Sequence, residues 1–172
     1  MLFRSVVPYE VKIYANATIL VKYLGQGSNG INMTVATTVP GLFTTNVSGT
    51  GPGAILNSDL SLNTAANPAA RGDIVVIYMT GEGETSPGGV TGKVTTVASP
   101  PAPLTPGPLL QPSVTIGGQP ANWTFAGEAP GFVSGVLQLN VKVPTNIAAG
   151  DQPIVVTIGG VPSQQGVTVS VK

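Results

Sequence analysis

Few residues in this chain have the chemistry to act on a substrate. Glu82 and Glu84 lie in the glycine-rich run Gly81–Gly92, with Asp73 a short way upstream. Two carboxylates so placed are candidates for a Ca²⁺ site or for an acid and its base. Calcium takes about six to eight oxygens, usually from a dense Asp/Asn run, and none is present. A glycosidase pair must face across a cleft, which these two positions do not by themselves imply. The expectation is therefore solvated loop charges. Histidine and cysteine are both absent. That excludes a Ser-His-Asp triad, a thiol nucleophile, a disulfide framework and a thiolate zinc site. The sequence predicts no catalytic residue, no cofactor and no metal, and hence no enzyme.

Other motifs point toward surfaces. Arg71-Gly72-Asp73 is a tripeptide read by adhesion receptors on loop tips, but it directly precedes an apolar run, where Gly-Asp serves as a turn. Four sequons, at Asn16, Asn32, Asn46 and Asn122, are candidate N-glycosylation sites. Trp123 and Phe125 alternate with Asn122 and Thr124. They are expected to be sandwich anchors; an exposed, coplanar Trp123–Tyr pair would instead indicate glycan binding.

The elements that must position these groups are strands. Gly (23) and Pro (16) punctuate the 172 residues, the apolar runs are rich in Val, Ile and Thr, and no apolar stripe has helical spacing. Leu137, Leu139, Val141 and Val143 alternate with polar residues, as do Val167, Val169 and Val171. With Ile154–Ile158 between them, they predict a three-stranded meander. Ile74–Met79 is apolar throughout, the pattern of a strand buried on both faces. Strands are also expected at Ala17–Leu24, Ile31–Thr37, Val114–Ile116 and Asn122–Phe125, with a hairpin tip at Ser58-Asp59. Residues 99–112 hold six prolines and read as an extended polyproline II connector.

Charge narrows the partners. Seven basic and seven acidic residues make up only 8% of the chain and give no net charge. The basic residues form no stripe that would neutralise phosphates, so nucleic acid is not expected. There is no apolar stretch long enough for a membrane span and no signal-peptide pattern at Met1–Pro8. A neutral, Ser/Thr-rich, cysteine-free β chain suits an extracellular or cell-surface setting.

The chain also repeats itself. Val7-Pro8, Thr18-Ile-Leu-Val and Ile31-Asn-Met-Thr-Val parallel Val143-Pro144, Pro153-Ile-Val-Val and Gly166-Val-Thr-Val-Ser-Val. Val114-Thr-Ile-Gly-Gly-Gln-Pro-Ala returns as Val156-Thr-Ile-Gly-Gly-Val-Pro-Ser. With Asn67-Pro-Ala-Ala-Arg-Gly-Asp-Ile-Val-Val-Ile-Tyr-Met, Ala129-Pro-Gly-Phe-Val and Leu137-Gln-Leu-Asn-Val-Lys-Val-Pro, the chain resembles the Solibacter-type C-terminal domain of bacterial secreted proteins. That family is similar to the IPT/TIG class of immunoglobulin-like domains. The resemblance spans roughly residues 40–172; it implies a fold and a secreted setting, often behind similar domains, and supplies no activity.

The expected fold is all-β: an immunoglobulin-like antiparallel sandwich over residues 40–172, preceded by a partial domain over 1–39 built from closing strands alone. Ile19, Val21, Ile31, Met33 and Val35 of that partial domain need a partner surface, which the rest of a longer chain, the C-terminal domain of the same chain or a neighbouring subunit would supply. The expected function is a structural or adhesive module that assembles head to tail through these strands, as in donor-strand exchange, with homo-oligomers or filaments as the product. The alternative is a carbohydrate-binding accessory module of a larger secreted protein.

Overall fold

The computed structural model describes residues 5–96 and 106–172. The predicted connector at 99–112 therefore lies largely outside the described residues. An N-terminal unit holds a 3-10 turn at Tyr9–Ile13 and the strands β1 (Asn16–Ile19), β2 (Lys22–Tyr23), β3 (Gln26–Gly27) and β4 (Ile31–Thr34). There follow β5 (Gly41–Leu42), β6 (Gly51–Pro52), β7 (Ile55–Leu56), β8 (Ile74–Thr80), β9 (Thr85–Ser86), β10 (Gly107–Pro108), β11 (Pro112–Ile116) and β12 (Gln119–Ala121). The chain closes with β13 (Trp123–Glu128), β14 (Leu137–Lys142), β15 (Gly150–Ile158), β16 (Val161–Pro162) and β17 (Val167–Val171).

Two sheets face each other. One runs β13-β14-β8-β5, with β7 also on β8; the other runs β12-β11-β15-β17-β6, with β16 on β15. Alternation along each strand aims one set of side chains inward. Val75, Ile77 and Met79 of β8 sit opposite Val141, Leu139 and Leu137 of β14. Across from them stand Ile154, Val156 and Ile158 with Val167, Val169 and Val171, and every one of these side chains is buried. The all-β antiparallel sandwich preceded by a partial β unit is thus as the sequence predicts. β8 is also buried on both faces, since the outward Val76 is covered as well. Among the described residues the contact of β6 with β17 is parallel, as is the isolated bridge of Ala69 to Val171; the other strand pairings are antiparallel.

The three-stranded meander is not formed. β15 pairs with β17, but β14 lies in the opposite sheet between β8 and β13. Both its edges are filled there, and the link Val143–Ala149 crosses from one sheet to the other. Period-2 alternation specifies which face is buried, and not which strand lies alongside. The predicted strand over 17–24 is likewise broken into β1 and β2 at Leu20–Val21, and β4 ends at Thr34. The tip at Ser58-Asp59 is present, closed by Asn57 N–H on Ser61 O and Leu60 N–H on Asn57 O.

Candidate assembly surface and its anchor

β1 and β4 pair as an antiparallel ribbon, Asn16 opposite Thr34 through Ile19 opposite Ile31, and among the described residues neither has a second neighbour strand. Directly opposed residues share a face. One face therefore carries Asn16, Thr18, Asn32 and Thr34, with the Thr18 hydroxyl 2.6 Å from Asn32 Oδ1. The other carries Ala17, Ile19, Ile31 and Met33. Beyond it, Lys22 pairs with Gly27 and Tyr23 with Gln26 around a two-residue turn, Leu24-Gly25.

The ribbon reproduces the closing strands of the sandwich residue for residue. The offset is 135 on the first strand (Val21 to Val156) and 136 on the second (Ile31 to Val167). Asn16↔Thr34, Ala17↔Met33 and Thr18↔Asn32 fall on Asp151↔Ser170, Gln152↔Val169 and Pro153↔Thr168. Lys22↔Gly27 and Tyr23↔Gln26 fall on Thr157↔Pro162 and Ile158↔Val161. Both turns, Leu24-Gly25 and Gly159-Gly160, have positive φ at both central residues, as the tight primed hairpin turn requires. Even the serine bridge recurs. Ser28 N–H donates to Val21 O and Val21 N–H to Ser28 Oγ; Ser163 N–H donates to Val156 O and Val156 N–H to Ser163 Oγ.

The two copies differ in what covers them. Ile154, Val156, Val167, Val169 and Val171 are at most 2% exposed. Their counterparts Ile19, Val21, Ile31 and Met33 are 41–62% exposed, and Val35, nearest the sandwich, is half-buried. The five residues expected to need a partner surface are thus brought onto one face, and that face is open.

The ribbon is tied to the sandwich at both roots. At its exit, Thr38 is buried and donates to Ile158 O, and Val39 N–H donates to Gly81 O, so the chain meets the sandwich just before the predicted boundary at residue 39. At its entry, the 3-10 turn docks on the 81–92 loop. Tyr9 N–H donates to Thr91 Oγ1, the Thr91 hydroxyl donates to Glu10, and Lys12 pairs with Glu84 at 3.2 Å. The Tyr9 hydroxyl reaches inward, 3.1 Å from Glu128 Oε1 and 3.3 Å from Glu82 Oε1. Both glutamates are almost fully buried. Thr95 and Ser134 donate to the other oxygen of Glu128, at 2.8 and 3.1 Å. Gly89 closes the site: a Cβ there would lie 2.6 Å from both the Tyr9 ring and Glu128.

Burial pushes the Glu82 carboxyl above its ordinary range, with the Glu128 charge adding to the shift. Burial, then the two carboxylates, push the Tyr9 hydroxyl up as well. A tyrosine has one proton to donate and lies here between two carboxyls. Tyr9 donating to Glu128 and a protonated Glu82 donating to the Tyr9 oxygen satisfies every group.

The remaining predicted residues are dispersed. Glu82 and Glu84 diverge, one inward and one outward, and share no cleft. Arg71-Gly72-Asp73 forms the expected turn: Gly72 N–H bonds Val143 O, Asp73 N–H bonds Ala70 O, and Arg71 Nε donates to Ile147 O. Trp123 packs against the core and donates from its indole to Pro112 O, while Phe125 is half-buried. The close aromatic pair is Tyr78–Phe132, with centroids 5.4 Å apart and planes tilted by 39°. All four sequon asparagines are exposed. Among the described residues no group of three acidic side chains is placed to hold a metal ion, and no helix is long and apolar enough to cross a membrane. Sequence reasoning missed Tyr9 and Glu128. A buried-looking Glu128 between Gly127 and Ala129, at the end of an apolar strand, was the available signal. No family model matches the chain, and no curated protein matches it.

Proposed function

We propose that this chain is a structural β-sandwich module of an extracellular or cell-surface assembly, joined to its neighbours through the ribbon. The observation that supports this is the bare core face of a residue-for-residue second copy. Five apolar side chains that a complete copy buries are held in the same register, four of them exposed and Val35 half-buried. Leaving such a face in water forfeits about 25 cal/mol for each Å² of apolar surface. The complete copy also indicates what fits: a facing sheet with the alternation of β8 and β14 but with room for larger side chains, and a strand running antiparallel along residues 19–23, as β11 does along Ile154–Ile158. A neighbouring copy or similar domain supplying them makes a contact between unlike surfaces, which propagates head to tail instead of closing. The secreted setting comes from the family resemblance and the composition. The carbohydrate-binding alternative has less support, because Trp123 is engaged by the sandwich and the one close aromatic pair among the described residues is tilted.

The test is the double variant Ile19→Lys/Ile31→Lys, which charges the face without touching the sandwich. Sedimentation should show an oligomer for the parent chain and a monomer for the variant, with unchanged far-ultraviolet circular dichroism. A parent chain that stays monomeric at every concentration, or a variant that assembles equally well, sinks the proposal.

A further inference from the structure

We propose that Tyr9, Glu82 and Glu128 form a proton-operated clasp that fixes the ribbon to the sandwich while Glu82 holds a proton and frees its entry root when that proton leaves. The argument begins with tethers. With Tyr9 seated, the ribbon is held at two roots, the 3-10 turn before β1 and Thr37–Val39 after β4. With Tyr9 withdrawn, the first root keeps only the solvent-exposed Thr91–Glu10 bond and Lys12–Glu84 pair, which water and salt weaken. What decides between these states is a site with two almost fully buried carboxyls and one phenolic proton between them.

The groups facing Glu82 are Tyr9 from the arm and Glu128 from the end of β13. The nearby charges turn outward: Glu84 is paired with Lys12, and Glu10 accepts from Thr91. Among the described residues no basic side chain forms an ion pair with either buried glutamate. Glu128 already takes three donors. Loss of the Glu82 proton therefore puts a second negative charge in a buried site where, besides the Glu82 backbone N–H, the two carboxylates share the one Tyr9 hydroxyl, and the arrangement loses a hydrogen bond as it gains repulsion. Withdrawal of Tyr9 admits water to both carboxylates and relieves both penalties.

The sign follows from the raised affinity of Glu82 for its proton in the docked state. Docking is at full strength below the ordinary glutamate range and is lost as pH rises through the raised value. Between the released and docked values, the docking equilibrium falls about tenfold per pH unit. This inference does not depend on the assembly reading, since it concerns how the ribbon is held and not what it binds.

The experiment is amide exchange on the full chain from about pH 5 to about pH 8, following the Tyr9 amide as a ratio to a core amide such as Leu139, so that intrinsic pH effects cancel. The wild-type ratio should fall with rising pH. In Glu82→Gln, whose amide donates without titrating, it should stay flat. Gly89→Ala, which changes no titratable group but obstructs the Tyr9 ring, should abolish Tyr9 protection throughout. A wild-type ratio that is constant with pH, or one that Glu82→Gln reproduces at every point, overturns the proposal.

Discussion

Truncating Ile154 to alanine is expected to cost the sandwich about 3–4 kcal/mol, while truncating Ile19 to alanine costs almost nothing. The two isoleucines occupy the same place in the two copies, next to the same hairpin. Ile154 is fully buried in the core between the sheets, so its loss removes transfer free energy and leaves a cavity. Ile19 is 53% exposed on the ribbon, so alanine there opens no cavity. Urea unfolding of the monomeric form of each variant gives the comparison directly. Equal losses would mean that the ribbon face is already covered within its own molecule. The assembly reading would then have no surface to work with.

The second large effect is at Gly81. Its φ is +81°, and a Cβ built on it would lie 1.8 Å from Val39 O. The Cβ would overlap backbone atoms of Val39, and the two segments are held together by Val39 N–H on Gly81 O, so neither can step aside cheaply. Left-handed backbone alone costs a non-glycine residue about 1–2 kcal/mol. Gly81→Ala should therefore lose well over that, about 3 kcal/mol or more, and detach the ribbon's exit from the sandwich. Gly92→Ala is the control. Its φ is +75° but nothing lies within 4 Å, so it carries the backbone cost without the collision. Thermal unfolding of the pair separates the two contributions, and similar losses would show that the close approach at Gly81 is not needed.

The sandwich was legible from the sequence because each of its strands carries its own signal. The alternation of Leu137, Leu139 and Val141 and the unbroken run Ile74–Met79 need no knowledge of the rest of the chain. The repeat was legible too, and the structure adds the register, the turn and the serine bridge that make it a true copy. The sheet that receives β14 was not legible, because alternation carries no information about neighbours. The clasp was hidden for a different reason. Tyr9 meets residues 73 and 119 positions away, and what brings them together is sheet order that no local pattern encodes. Glu82 looked like a solvated loop charge because its loop is glycine-rich, yet those glycines let the loop fold down over it.

The duplicated hairpin also sets a problem for the chain while it folds. Before β15–β17 have settled against β8 and β14, the ribbon is made first and has the right register for the same slot. It is a decoy synthesised ahead of the authentic piece, and a neighbour's ribbon is a second decoy at high concentration. Side-chain volume discriminates between them. Tyr23 stands where Ile158 is fully buried, Met33 where Val169 is, and Ile31 where Val167 is. A ribbon lodged in that slot would overfill it at three points, and overpacking of a close-packed interior costs about 1–3 kcal/mol per site. Those three differences disfavour the spare hairpin in the core and leave it on the outside.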